Sequence, residues 1–451
     1  MTIKMTDDLT QMDYPRYDSY KDSGVDWLGE IPEGWDTRRL KYVLSERNER
    51  SKTGEEPLLM VSQKYGLVIR ADYHDKATVA LSNIDSKIVY KNDLVFNKLK
   101  AHLGVFYKSE IDLKGIVSPD YAVYRSKAYI EDLKFLELLF RLPLYIQQFI
   151  IRATGVAEGL IRLYTSELFD LPVPIPPLFE QKNILEFIDN KFVKIDQAIA
   201  LKQQQIAKLE EYKQIVIQNA VTKGLNPDAP MKDSGVDWIG DIPEHWSITR
   251  IKNCLSPPVN GVWGEDPASD KKDNTVVLRV ADFDRKNYTI SDKNLTYRKI
   301  STNDFNSRKL VKGDLLIEKS GGGNKSLVGF VVIFDKNYPA VTSNFVASAT
   351  PNTDFKSEFL LYFLSSLYAL RRNYLSIKQT TGIQNLDISS YFNELICVPS
   401  YREQKSIIQF IELKLNKFKE TTLSLESQID RLKEYKTILI NQAVTGKIKV
   451  S

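Results

Sequence analysis

KDSGVDWLGEIPEGW, residues 21–35, returns as KDSGVDWIGDIPEHW, residues 232–246, with 12 of 15 positions identical and an offset of 211. A segment that recurs at this fidelity marks the chain as an internal repeat, and the architecture has to be read from that. Further on, PPLFEQK (176–182) is echoed by PSYREQK (399–405), and EEYKQIVIQNAVTKG (210–224) by KEYKTILINQAVTGK (433–447), both at an offset of 223. Between these anchors the copies diverge to fragments such as KNDLVFNK (91–98) against KGDLLIEK (312–319). Each copy thus has a constant start, a variable middle and a constant end. Framing segments that persist while the centres drift suit two units held to one scaffold and serving different targets; a duplication whose middles drifted without purpose is the alternative.

The constant ends carry one ladder of positions with alternating steps of four and three residues. It reads Ile188, Phe192, Ile195, Ile199, Lys202, Ile206, Leu209, Lys213, Val216, Ala220, and adding 223 gives Ile411, Leu415, Phe418, Thr422, Leu425, Ile429, Leu432, Lys436, Leu439, Ala443. Mostly apolar rungs at this period are a coiled-coil seam. The remaining faces are mixed in sign, with seven Lys against six Asp/Glu between 180 and 223, as on a solvated helix. Helices over 181–220 and 404–443 would each have 40 residues and a length of ~60 Å. Neither can bury its stripe alone. Two similar units in one chain most simply pack about a pseudo-twofold axis, which makes the helices antiparallel; packing of each stripe on its own domain or on another subunit is the alternative.

The middles read as mixed α and β. In the first, β-rich runs start at Leu58, Lys87, Asp93, Gly104 and Tyr121, separated by Gly, Asn, Asp or Pro. A helix is predicted over 129–140, with Pro143 stopping or kinking it before LYIQQFI. The second middle repeats the order, with strands over 275–280, 314–319, 327–334 and 344–349 and a helix near 357–376. The fold class is therefore α+β: two α/β-mixed domains joined by two long helices in an antiparallel coiled coil, a pseudo-twofold internal repeat. The boundaries fall at 1–178 for the first domain, 179–224 for the first helix, 225–401 for the second domain, and 402–451 for the second helix and tail.

A length of 451 residues allows two to four domains of ~100 to 200 residues. With 43% apolar and 27% charged residues, the composition is that of a globular protein with several cores. The longest apolar run, LVGFVVIF (327–334), is far short of the ~20 residues of a membrane helix, and the polar, acid-bearing N-terminus lacks the layout of a secretion signal. No membrane is expected, and the location is expected to be cytoplasmic. A net charge of +4 permits a nucleic-acid partner without arguing for one. Cys254 and Cys397 lie 143 residues apart with no CxxC or Cys/His cluster, so they are expected as two buried thiols.

Few residues carry recognisable chemistry. SGGGNKS (320–326) lacks the Gly before Lys of a phosphate-binding loop and reads as a hairpin tip. SPPV (256–259) lacks the Asn/Asp and the aromatic of the amino-methyltransferase motif and reads as a turn. Three scattered histidines, His74, His102 and His245, do not make a metal or acid/base site. The chain is expected to be non-catalytic, with no metal or cofactor of its own.

Two variable domains, each bracketed by DSGVDW(L/I)G(E/D)IPExW and by a proline-then-EQK opening of a long helix, and closed by NAVTKG and QAVTGK, resemble the specificity subunit of a type I restriction-modification enzyme over nearly the whole chain. The resemblance implies that each middle is a target-recognition domain and that the subunit binds double-stranded DNA with a bipartite site, two modification (methyltransferase) subunits and two restriction (motor-nuclease) subunits. S-adenosylmethionine and ATP with Mg are then expected on those partners. Two unlike readers at the ends of a rod also suit two short sequences separated by an unread spacer, whose length the helices would set; lengthening them is expected to lengthen the spacer.

DNA contacts must come from Lys, Arg, Asn, Gln, Ser and Thr on exposed loops, which pair phosphates and base edges. The candidates in the first domain are Lys98, Lys100 and His102, with Arg152, Thr154 and Arg162 in the stretch 152–162. In the second they are Lys319, Ser320, Asn324 and Lys325, with Lys378, Gln379, Thr380, Gln384 and Asn385; a solvated surface role stays open for each. The TG pairs, Thr154-Gly155 and Thr381-Gly382, are read as turns that aim these loops. Trp27, Trp35, Trp238 and Trp246 are read as core rather than as stacking platforms. The rivals are a tandem protein-binding scaffold without DNA specificity and a self-contained methyltransferase or nuclease.

Overall fold

The computed structural model describes residues 14–450 apart from 64, 74–82, 158–159, 268–273, 323–325 and 381, with only the backbone described at 155–157, 160–161 and 380. The chain forms two compact units. One is drawn from the chain up to Lys202 together with the chain from Glu426 onward, and the other is Gln203–Leu425. Packing therefore divides each long helix between the units, and the C-terminal segment joins the first, where the linear reading had set domains and helices end to end.

In the first unit the constant start folds into a short hairpin, Tyr20–Asp22 with Glu30–Pro32, and then a strand, Asp36–Arg39, that pairs antiparallel with Pro172–Ile175. The PVPI strand immediately precedes the first long helix, Leu178–Lys223. Start and helix are thereby tied together, which accounts for their joint persistence in both copies. The variable middle contributes a four-stranded antiparallel sheet in the order Leu44–Glu46, Tyr121–Ser126, Leu94–Asn97, Phe106–Lys108. Helices Lys134–Phe140 and Pro143–Arg152 cover it, and their Phe140 and Phe149 pack around Phe106, itself stacked on Phe96 at 3.9 Å.

The second unit repeats the frame. Met231–Asp233 pairs with Asp241–Pro243, and Ser247–Arg250 pairs with Leu395–Val398 just before the second long helix, Tyr401–Val444. Its four-stranded sheet runs Val259–Asn260, Val346–Ala349, Leu315–Glu318, Val331–Ile333, under the helix Ser357–Ala369. A further three-stranded sheet, Thr296–Lys299, Asn274–Leu278, Ala340–Thr342, has one parallel pairing. KNDLV and KGDLL make the same turn in both units. Asn92 and Gly313 take the left-handed conformation at φ 67° and 100°, which Asn and Gly tolerate best. The next residue, Asp93 or Asp314, accepts the backbone N–H of Tyr90 or Val311, each at 2.8 Å.

Each core draws on both long helices. In the first unit Ile184 and Ile188 meet Leu439, Ala443, Val444, Ile448 and Val450 around Trp35. In the second, Ile217, Ala220 and Val221 meet Ile407, Ile408 and Ile411 around Trp246. Within the first unit Asp196 pairs with Lys436 at 2.8 Å and Lys202 donates to Gln428 at 2.5 Å, so the paired positions run in opposite senses. Within the second, Tyr212 packs edge-on against Phe418 at 5.7 Å, while Gln205 and Leu209 share a pocket with Thr421 and Leu425. The seam residues Ile188, Phe192, Ile195, Ile199, Ile206, Leu209, Ile411, Leu415, Phe418, Leu425, Ile429 and Leu432 are all buried or half-buried. Apolar residues off the ladder, Val193, Leu201, Tyr212, Ile215, Leu413 and Leu423, are exposed.

The long helices extend beyond 181–220 and 404–443 because each starts directly after its strand-end proline segment. The helix expected over 129–140 begins only at Lys134; Tyr129 sits at φ 71°, a left-handed conformation that no helix contains. Pro143 opens the following helix, where its missing N–H costs nothing. The second predicted helix stops at Ala369, since Arg371 at φ 57° breaks it before a 3-10 turn, Arg372–Ser376. Of LVGFVVIF only Val331–Ile333 is strand. Gly329, at φ 100°, interrupts the run and donates its N–H to Glu318 at 2.8 Å.

The EQ of both helix openings has a structural explanation. Gln181 is buried and donates from Nε2 to the carbonyls of Tyr129 (2.6 Å) and Pro176 (2.8 Å). Gln404, likewise buried, donates to Asp354 (3.1 Å) and Pro399 (3.2 Å) and accepts Lys356 N–H at 2.9 Å. Each amide thus fastens a helix start to the loop ahead of a domain helix. Glu403 forms a capping box with Ser400: Ser400 N–H and Oγ–H donate to its Oε2 at 3.1 and 2.7 Å, and Glu403 N–H donates to Ser400 Oγ at 3.3 Å. Its Oε1 receives Trp246 Nε1–H at 3.2 Å and lies 2.7 Å from His245 Nε2. Burial works to raise this carboxyl, but the donors Ser400, His245 and Trp246 outweigh it and hold it at about 2.

A folded value below the unfolded one (~4.3) means the contribution is complete above about pH 4.5 and is lost as pH falls toward 2. Glu403→Gln is expected to cost about 1 kcal/mol at pH 7, after discounting for its partly exposed side chain, and to flatten the stability profile between about pH 4.5 and 2. Urea midpoints at pH 7, 4 and 3 check this; an unchanged slope would refute it.

Candidate nucleic-acid interface

Each unit carries a β-hairpin set between a helix or 3-10 turn and a short helix: Pro143–Arg152 and Thr165–Phe169 in the first, Arg372–Ser376 and Ile388–Tyr391 in the second. In the first, Thr154–Ala157 pairs with Leu160–Arg162, Thr154 opposite Arg162, with a register shift between Gly155 and Ala157. The hairpin backs onto the 3-10 turn Lys98–Leu103 through Leu163 N–H to Lys98 O at 3.1 Å. Asn97 Oδ1 caps that turn by accepting Leu99 N–H, and Gly104, at φ 60°, ends it; a Cβ there would lie 2.9 Å from Phe140 O. The two candidate stretches of this unit are thus brought side by side.

Their side chains differ in availability. Lys100 and Thr154 are exposed, and Lys98 and His102 are half-buried. Lys98 Nζ lies 3.7 Å from Glu46, which also accepts Lys87 Nζ at 2.8 Å. Burial lowers the Lys98 pKa, with Glu46 opposing the shift and the Lys87 and Arg162 charges adding to it. Arg162 pairs with Asp120 at 3.0 Å and lies 5.4 Å from the Tyr164 ring centre, while Arg152 donates to Gln148 O at 3.3 Å. Exposed Ile151 and Tyr164 flank the hairpin, and a search confined to polar residues passes over them.

In the second unit the hairpin is Ile377–Thr380 with Ile383–Leu386, and Ser320–Gly321 adds a third strand, ordered Ser320–Gly321, Ile383–Leu386, Ile377–Thr380. The distant candidates Ser320, Lys378, Gln379, Thr380, Gln384 and Asn385 therefore share one sheet. The pleat then sorts them, because alternate residues of a strand face opposite sides. Gln384 faces inward and is 4% exposed, its Oε1 accepting Val328 N–H at 3.3 Å. Asn385 faces the other way, receives Ser320 Oγ–H at 2.6 Å, and lies opposite Lys378 in register. Lys378 and Gln379 are exposed; Lys378 Nζ also reaches Asp387 at 2.7 Å, and Lys319 Nζ reaches Asn260 Oδ1 at 2.9 Å. Thr380 lies opposite Ile383. Asn324, Lys325 and Thr381 lie outside the described residues. Gly382 occupies the hairpin turn at φ 84°, whereas Thr154 and Gly155 lie in a strand rather than a turn.

Trp35 and Trp246 are fully buried, and Trp27 and Trp238 pack edge-on against Tyr145 and Phe363, so all four serve the cores. Both cysteines are buried and free, and burial pushes each thiol up to about 12. Among the described residues no group of three or more His, Cys, Asp or Glu is placed to hold a metal ion, and no helix is long and apolar enough to cross a membrane.

The family described as the type I restriction modification DNA specificity domain matches residues 32–211 and 267–431. The chain is 24% identical over 276 residues to the type I restriction enzyme EcoBI specificity subunit of Escherichia coli, an alignment covering 60% of this chain and 56% of the relative. It is 22% identical over 438 residues to the MjaVIII specificity subunit of Methanocaldococcus jannaschii, covering 93% and 94% of the two chains. A chain from a solved structure concerned with complex assembly and conformational transition of the type I R-M system shares the fold at a TM-score of 0.64, with 16% identity over 92% of this chain and 98% of that one.

Proposed function

The chain belongs to the type I restriction modification DNA specificity domain family, and on that premise we propose that it is the sequence-reading subunit of such an enzyme, each unit recognising one half of a bipartite double-stranded DNA site. The observation that carries this reading is that two similarly built frames each hold a hairpin of different sequence, the first with Thr154 and Arg162 at its base beside the Lys98–Leu103 turn that carries exposed Lys100, the second with Lys378, Gln379 and Asn385. A frame kept constant while its presented surface varies is what two different base sequences require, since base edges are read by side-chain hydrogen bonds and phosphates by cations. The long helices would form the antiparallel coiled coil that sets the unread spacer. The subunit is itself non-catalytic and works in the cytoplasm: methyl transfer from S-adenosylmethionine and ATP- and Mg-dependent cleavage lie with two modification and two restriction subunits, which it directs to the site.

Retardation of a duplex carrying the host's methylated sequence, with the modification partner present, tests the proposal. Affinity for the target is expected to exceed that for a scrambled duplex and to fall on the order of 10³-fold between about 50 and 200 mM salt, through counterion release. Equal, salt-insensitive behaviour on both duplexes would leave the tandem protein-binding scaffold.

A further inference from the structure

We propose that the second unit reads a thymine through Ile383 and Phe345, which pack on its C5 methyl group in the major groove; this rests on the DNA-reading function proposed above. Both residues are large and apolar yet half-exposed, at 51% and 53%. Ile383 opens the strand after the hairpin turn, and by alternation it shares the outward side of that strand with Asn385, opposite to buried Gln384. Phe345 is fastened to the same sheet: its carbonyl accepts the N–H groups of Lys319 (2.8 Å) and Ser320 (3.2 Å), and Ser320 lies opposite Asn385. Ile383 thus shares a strand face with Asn385 and its register partner Lys378, and the Phe345 backbone is bonded to the Lys319–Ser320 segment that pairs with Asn385.

The surroundings choose the occupant. A protein partner's interface core is depleted in Lys, and a phosphate backbone offers nothing to an aliphatic or phenyl group. Among the four bases, only thymine presents a methyl group on its major-groove edge, beside acceptors that Lys and Asn can engage. An apolar pair embedded in hydrogen-bonding groups matches that mixture.

The test uses the full chain with its modification partner and duplexes of the methylated target in which each thymine is replaced, one at a time, by deoxyuridine, which removes only the methyl group. At one thymine the replacement is expected to weaken binding roughly fourfold, the worth of one buried methyl-sized group. Ile383→Ala combined with Phe345→Ala should abolish the penalty at that position and no other, while Ile383→Val should keep it. Preference for target over scrambled duplex with no deoxyuridine penalty anywhere, or a penalty that survives the double variant, would overturn the inference. Loss of that preference in the unmodified protein would instead sink the DNA-reading function itself.

Discussion

Removal of residues 444–450 is expected to unfold the first unit and leave the Gln203–Leu425 unit folded. The tail inserts Val444, Ile448 and Val450, at 0%, 5% and 6% exposure, into the core that holds Trp35. Each such aliphatic contributes about 1.5 to 3 kcal/mol on burial, so the three together reach the size of a whole domain's stability, ~5 to 15 kcal/mol. Lys449 N–H also donates to Pro15 O at 2.7 Å, which ties the tail to the start of the unit. Limited proteolysis read by mass spectrometry should show new cleavage between residues 14 and 202, with rates between 203 and 425 unchanged; an unchanged map would refute the expectation. Gly446→Ala should act in the same direction, because at φ 73° an added Cβ is strained and would stand 2.5 Å from Pro32 Cδ.

Trp246→Ala is expected to cost the second unit about 3 to 5 kcal/mol, the usual penalty of a large cavity in a packed core. The indole is 1% exposed, packs beside Gly224 at the end of the first long helix, and donates to Glu403 at the start of the second. It joins the constant start to both helices, so its loss should loosen all three. Trp246→Phe keeps most of the ring but removes the donor, and should cost only about 1 to 2 kcal/mol. Urea unfolding followed at the second unit's transition separates the packing and hydrogen-bond contributions, and equal losses for the two variants would show that packing is not the larger one.

The repeat, the strands of both middles and the helix ladder were legible because periodicity is a local property: each rung is placed by its neighbours three and four residues away, and each ladder position in turn avoids exposure. The EQ doublet was visible as an echo, yet its role was not, since Gln181 and Gln404 act on carbonyls of Tyr129 and Asp354, some 50 residues away in sequence.

What the amino-acid order determined by itself was the internal repeat, the two long helices and which stretches of each middle carry polar residues. Tertiary structure alone decided which of those polar groups face outward, because Gln384 and Asn385 are adjacent, equally good hydrogen-bonding residues that a pleat sends to opposite sides. It also decided that the chain from Glu426 onward belongs with the chain up to Lys202. An apolar stripe specifies that it must be covered, not by what; only the packed chain supplies the partner surface.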